Sequence, residues 1–347
     1  MAENSKIEWT THTFNPVRGC VKVSPGCANC YAEVSAPSRV ARGNGLETWG
    51  KNAARIVASE AMWAEPIKWN RNADEELDAW LHDYDDDKGA IPERPRVFCA
   101  SLADVFEDYQ GGNVCDSQGN KLYDDLTPVR ARLFKLMMDT PCVDWLDLTK
   151  RPENVMRMIA EAMAWMIERP AYSLTYIWLK QWLDGNPPHN VWIGTTCENQ
   201  EMADKRIPEL LKIPARVRFL SVEPMLGPVV LPENSIPSAP LDPADLEKCK
   251  RLNARLKQTE FNQSLPSHLR LRPMISWVIC GCESGHARRP MKHQWAQSLA
   301  DQCKESGVAF FMKQMLNMHG DVSGVLSDLP GGLQVREFPT VEVHDNV

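Results

Sequence analysis

Polar residues close each of six short apolar runs in this 347-residue chain, and a stretch of helical character follows each run. The runs cover 96–101, 143–148, 190–194, 217–220, 275–280 and 308–312, and a further strand is expected near 13–16. After 143–148, Val155, Met158, Ile159, Ala162, Met163, Met166 and Ile167 recur at the spacing of one helix face. Strands alternating with helices imply parallel βαβ units and an α/β class. Their separation predicts a full or partial (β/α) barrel, with an open doubly wound sheet as the alternative. Catalytic residues of such barrels collect at the C-terminal strand ends. A single domain over 1–319 is expected, with insertions at about 33–93 and 232–273 and a tail at 320–347.

The N-terminal residues are polar and carry no apolar signal segment, and no apolar run reaches the roughly 18–20 residues that cross a bilayer. A cytoplasmic protein is expected. There the eleven cysteines would stay reduced, so a tight group of them points to metal rather than to disulfides. A net charge of −7 argues against broad nonspecific nucleic-acid binding but leaves room for a local basic groove.

The tight group is Cys20, Cys27 and Cys30, a C-x6-C-x2-C cluster wrapped around the Pro25-Gly26 turn. Thiolates favour zinc and iron–sulfur clusters. A closed zinc site takes four protein ligands, and an ordinary ferredoxin cubane takes four cysteines. Three local thiolates therefore leave one position of a [4Fe–4S] cluster open to a cofactor such as S-adenosylmethionine. Three other readings stand beside this one: a structural zinc completed by His12, Cys99 or a more distant residue, an electron-transfer cluster without that cofactor, and plain thiols.

The blocks 7–16 and 24–31 are followed by 98–106, 148–152, 192–196, 221–225, 281–285 and 310–314. Together they resemble a phage and prophage protein family marked by a three-cysteine motif, over most of residues 6–315. That family is similar to a divergent branch of the radical S-adenosylmethionine superfamily. The resemblance implies a partial (β/α)6 TIM-like barrel with helical and loop insertions, and an enzyme that makes a 5′-deoxyadenosyl radical with an external electron donor. The superfamily spaces its cysteines C-x3-C-x2-C with an aromatic before the last one; here the first gap is six and Tyr31 follows the last cysteine.

The strand ends supply the other candidates. Asp104, Glu198 and Glu223 are placed to hold the cofactor's ribose hydroxyls or its amine, although Asp104 would equally serve as a helix N-cap. Glu283, between Gly281 and Gly285, matches the superfamily's contact to the methionine amine, but from a later strand. Lys150, Arg151, Arg288 and Lys313 offer cations to an anionic substrate, and a solvated loop pair is the plain alternative for the first two. Cys280 and Cys282 read as buried strand thiols or as ligands of a second cluster. The resemblance suggests modification or repair of a nucleic acid or nucleotide, in company with a partner protein. A zinc-stabilised phage accessory protein without catalysis and an iron–sulfur nucleic-acid sensor are the competing functions.

Overall fold

In a computed structural model, residues 2–3, 5–83, 89–236, 274–285, 287–317 and 321–340 are described. The expected insertion at 232–273 lies almost wholly outside them, as does most of the acidic run that starts at Asp83. The fold is mixed α/β, in two compact units. The first comprises Met1–Leu179, His189–Gly194 and Gly285–Ala287; the second comprises Lys180–Pro188, Thr195–Ser284 and Arg288–Val347.

In the first unit, strands β1 (His12–Phe14), β2 (Arg96–Cys99) and β3 (Asp144–Thr149) lie side by side in sequence order. Both pairings are parallel, with Phe14 opposite Cys99 and Cys99 opposite Asp147. Parallel strands are normally covered on both faces, so their sequences run apolar without alternation. The burial of Val97, Phe98 and Cys99, and of Trp145 and Leu146, follows that rule. Helices α1 (Ala36–Gly43), α2 (Glu60–Leu81), α3 (Thr127–Asp139) and α4 (Val155–Met166) belong to the same unit. The helix face expected after β3 is found in α4, where Val155, Met158, Ile159, Ala162, Met163 and Met166 are buried. Phe14 anchors the core edge-on between Trp63 of α2 at 5.1 Å and Trp145 of β3 at 5.7 Å. Aromatic pairs of this geometry add about 1 kcal/mol beyond the area they bury. A small second sheet is built from Val17–Arg18, Arg55–Val57, Val114–Cys115 and Lys121–Tyr123.

Strand β4 (Val191–Thr196) contributes its first four residues to the first unit and its last two to the second. In the second unit β5 (Arg218–Val222), β6 (Trp277–Gly281) and β7 (Ala309–Leu316) are parallel and again in sequence order. Within neither unit does the strand order reverse, whereas a doubly wound sheet turns on such a reversal. The last helix here, α5 (His293–Ser306), packs Ala296, Leu299, Ala300 and Cys303 inward. It ends at Gly307, whose left-handed φ of 67° is the usual helix stop. No described helix is long and apolar enough to cross a membrane.

Candidate metal centre

The cysteine loop opens at a position only glycine can fill. Gly19 has φ +107°, and a Cβ there would stand 2.5 Å from the Thr48 carbonyl oxygen. Its amide donates to Leu102 O at 3.1 Å. Cys20 then forms a bridge with Trp49: its amide donates to Thr48 O at 3.2 Å, and its carbonyl accepts from Gly50 N at 3.0 Å. Pro25–Cys27 make a single 3-10 turn, closed by Cys27 N donating to Ser24 O at 2.9 Å. Past the third cysteine, the Tyr31 hydroxyl donates to Ser101 O at 2.9 Å, and Asn29 donates to Ala287 O at 2.8 Å.

Both ends of the loop therefore rest on the turn that follows β2. Asn15, just past β1, fixes that turn, taking the Leu102 amide at 2.6 Å and donating to Ser101 Oγ at 3.0 Å. Next in the turn comes Asp104, whose carboxylate is fully engaged. One oxygen accepts from Thr149 Oγ1 at 2.8 Å and Phe106 N at 3.1 Å, the other from Lys150 N at 3.0 Å and Arg151 Nη1 at 2.7 Å. Arg151 uses its second Nη to reach Val21 O at 3.0 Å. One carboxylate thus ties the end of β3 to the cysteine loop.

Two of the cations expected to face a substrate, Lys150 and Arg151, act on the thiols through their charge. Burial raises the Cys27 thiol, but Lys150 and hydrogen bonds from Val23 and Ser24 outweigh it and bring the thiol below its ordinary value. Burial keeps Cys30 above that value, although Lys150 pulls it down as well. Cys20 is pushed up to about 12, by burial first and then by Asp104, with Arg151 opposing. All three, like every described cysteine, are free thiols. Cys27 is buried and the other two are partly exposed.

The sequence reading passed over Asp147, which is completely buried in β3. Its carboxylate faces the Cys99 thiol, its register partner on β2. Its signal in the sequence was an aspartate in the middle of an otherwise apolar strand. Asn15 and Gly19 were passed over too, since neither carries chemistry by itself.

The remaining candidates belong to the second unit, where each carboxylate has a cation. Glu198 is completely buried and accepts from Arg206 Nη1 at 2.8 Å, which also donates to Thr196 O at 2.8 Å. Glu223 pairs with Lys313 of β7. Glu283 takes Arg289 bidentately, at 2.5 and 3.0 Å, and accepts its amide at 2.8 Å. Arg288 is half-buried, and its charge reaches Cys282. Burial pushes that thiol up to about 11, and raises Cys280 as well.

Among the described residues, no group of three or more His, Cys, Asp or Glu side chains is gathered as a metal site. The donor chemistry of the loop still fits an iron–sulfur cluster. It offers three free thiols on one short segment, two of them close enough to feel each other's charge, with a lysine and an arginine against them. Thiolate sites commonly close only as the metal binds.

A profile of the family described as "Protein of unknown function (DUF5131)" matches residues 4–325. No curated protein matches the sequence. Two solved structures are similar. One is a mutant of spore photoproduct lyase, at 11% identity and a TM-score of 0.37; the match covers 81% of this chain and 58% of that one. The other is a second mutant of that enzyme with dinucleoside spore photoproduct, at 10% identity and a TM-score of 0.36, covering 93% and 70%. This chain thus spans less than two thirds of the first of these, and both likenesses are too loose to bear on activity.

Proposed function

The chain belongs to the DUF5131 family, and from its cysteine loop we propose a radical S-adenosylmethionine enzyme that holds a [4Fe–4S] cluster on Cys20, Cys27 and Cys30. The carrying observation is the loop itself: three free thiols, fixed at both ends to the turn after β2, with Arg151 bonded to the loop at Val21 and the Lys150 charge acting on Cys27 and Cys30. Three thiolates are one fewer than a ferredoxin cubane takes, so one iron keeps an open position. Such a cluster, when bound, supplies S-adenosylmethionine with the electron that breaks its sulfur–carbon bond.

The chain's own residues do the rest. Deprotonating three thiols in a partly buried loop costs desolvation energy, which Lys150 and Arg151 offset. Asp104 has no acceptor position to spare for a ribose, and its part is to hold the Arg151 guanidinium and the Lys150 backbone in place. Glu198, Glu223 and Glu283 stand as the proposed binders of the cofactor's amine or hydroxyls, with Arg288 and Lys313 for an anionic substrate. A ligand at Glu223 and Lys313 would exchange one ion pair for two, its amine to the carboxylate and its anion to the ammonium.

The test is anaerobic reconstitution with iron and sulfide, followed by metal analysis and a reductive assay for 5′-deoxyadenosine. About four irons per chain and 5′-deoxyadenosine formation are expected in the wild type. Cys27→Ala should lose both. One tightly held zinc with no cofactor cleavage would overturn the proposal and leave a structural metal protein.

A further inference from the structure

Cys20 and the Cys27–Cys30 pair are anchored separately. Cys20 is held by its bridge to Trp49, whereas the later pair is held through the 3-10 turn and the Tyr31 hydroxyl. A metal that uses all three thiols needs the gap between these anchors to be set. Within the loop Lys22 spans that gap from an exposed side chain, bonding to Ala28 O and Glu33. A buried side chain from elsewhere in the fold meets the loop directly after Cys20, where Arg151 donates to Val21 O.

Arginine suits that task. Its guanidinium is a rigid fork, so one nitrogen on Asp104 fixes where the other points, a geometry that lysine cannot copy. Asp104 is itself immobilised by three further donors, among them the hydroxyl and amide of Thr149 and Lys150. Arg151 is 7% exposed and Asp104 5%. Ion pairs so deeply buried add little net stability, and their better-attested use is to specify one arrangement among several.

We propose that Arg151, oriented by Asp104, is a positioning residue of the metal centre: it sets Cys20 against Cys27 and Cys30 so that all three thiols close on one metal. This rests on the reading of the loop as a metal site. It adds that a residue far along the chain decides how many thiols bind.

Cobalt(II) is the probe, because its thiolate charge-transfer absorption grows with the number of bound thiolates. The metal-free full-length wild type should take up one cobalt with the intensity of three thiolates. Arg151→Lys should lose about a third of that intensity, one thiolate of three. Cys20→Ala should lose the same fraction, and combining the two should lose no more. Asp104→Asn, which keeps the side-chain volume, should move the spectrum in the same direction and serves if Arg151→Lys does not fold. Far-UV circular dichroism and the metal-free melting midpoint establish folding, and a purely structural role would leave the cobalt spectrum of the folded variants unchanged. A full three-thiolate band in either folded variant would overturn the positioning role alone. Absence of any thiolate band in the wild type would overturn the metal-site reading, and this role with it.

Discussion

At the scale of single residues, Asp147 carries the clearest pH signature. Burial raises its carboxyl to about 7; the Cys99 thiol, its register partner on β2, pulls it down and the Asp104 charge pushes it up. In the unfolded chain the same group titrates near 3.8. Between those two values the unfolded state gives up its proton first, so stability is full below the lower value and falls as pH rises toward the upper one. The whole effect is on the order of 4 kcal/mol, about three pKa units at 1.36 kcal/mol each. Asp147→Asn should flatten that slope and raise stability at pH 8. Urea unfolding at pH 4.5, 6 and 8 reads it, and an unchanged slope in the variant would refute the assignment. Gly19 acts through sterics instead. Gly19→Ala drives a methyl into backbone oxygens of Thr48 and Ala54, so it should displace Cys20 and reduce metal uptake several-fold. Gly45→Ala also has positive φ but open space around it, so it should cost a little stability and leave uptake intact.

At the scale of elements, the turn after β2 joins three strand ends. Asn15 brings it the end of β1 and Asp104 the end of β3, while Ser101 and Leu102 carry the cysteine loop. Asn15→Ala removes the acceptor of a part-buried amide, which costs about 1–3 kcal/mol. It should also weaken metal binding without touching a ligand; a chelator competition alongside a melt checks both. The strands themselves were legible from the sequence. Each expected run is found as a strand, and the pairings described are parallel, because long apolar runs with polar ends leave few alternatives. The cysteine cluster was legible for the same reason of local spacing. The partners of the charged strand ends were not. Lys150 and Arg151 read as cations for a substrate, and only the fold brings Asp104 to the Lys150 amide and the Arg151 guanidinium, from 46 and 47 positions away. A sequence displays a charge but not the charge that meets it. Asp147 was overlooked because a strand of mixed letters looks apolar once its neighbours are counted.

At the scale of the molecule, the proposed cluster would link metal to stability. A ligand that binds only the folded chain stabilises it by about 2.7 kcal/mol at a hundred times its dissociation constant. The reconstituted wild type should therefore melt a few degrees above its metal-free form. Cys27→Ala should show the same midpoint with and without metal. An equal rise in both would mean that the metal binds elsewhere. Both units hold free thiols and buried carboxylates matched to cations, Asp104 with Arg151 in the first and Glu198 with Arg206 in the second.

The contact from Arg151 to Val21 spans 130 positions, and this has a consequence for how the protein is made. A ribosome adds roughly 5–20 residues each second, so the cysteine loop leaves it some ten seconds before the arginine that orders it exists. Through that interval the segment lacks this contact, and its three thiols are open to oxidation or to whatever metal ion is nearest. Loading with the correct metal belongs after that arginine has emerged, and oxygen during translation should do more harm than oxygen afterwards.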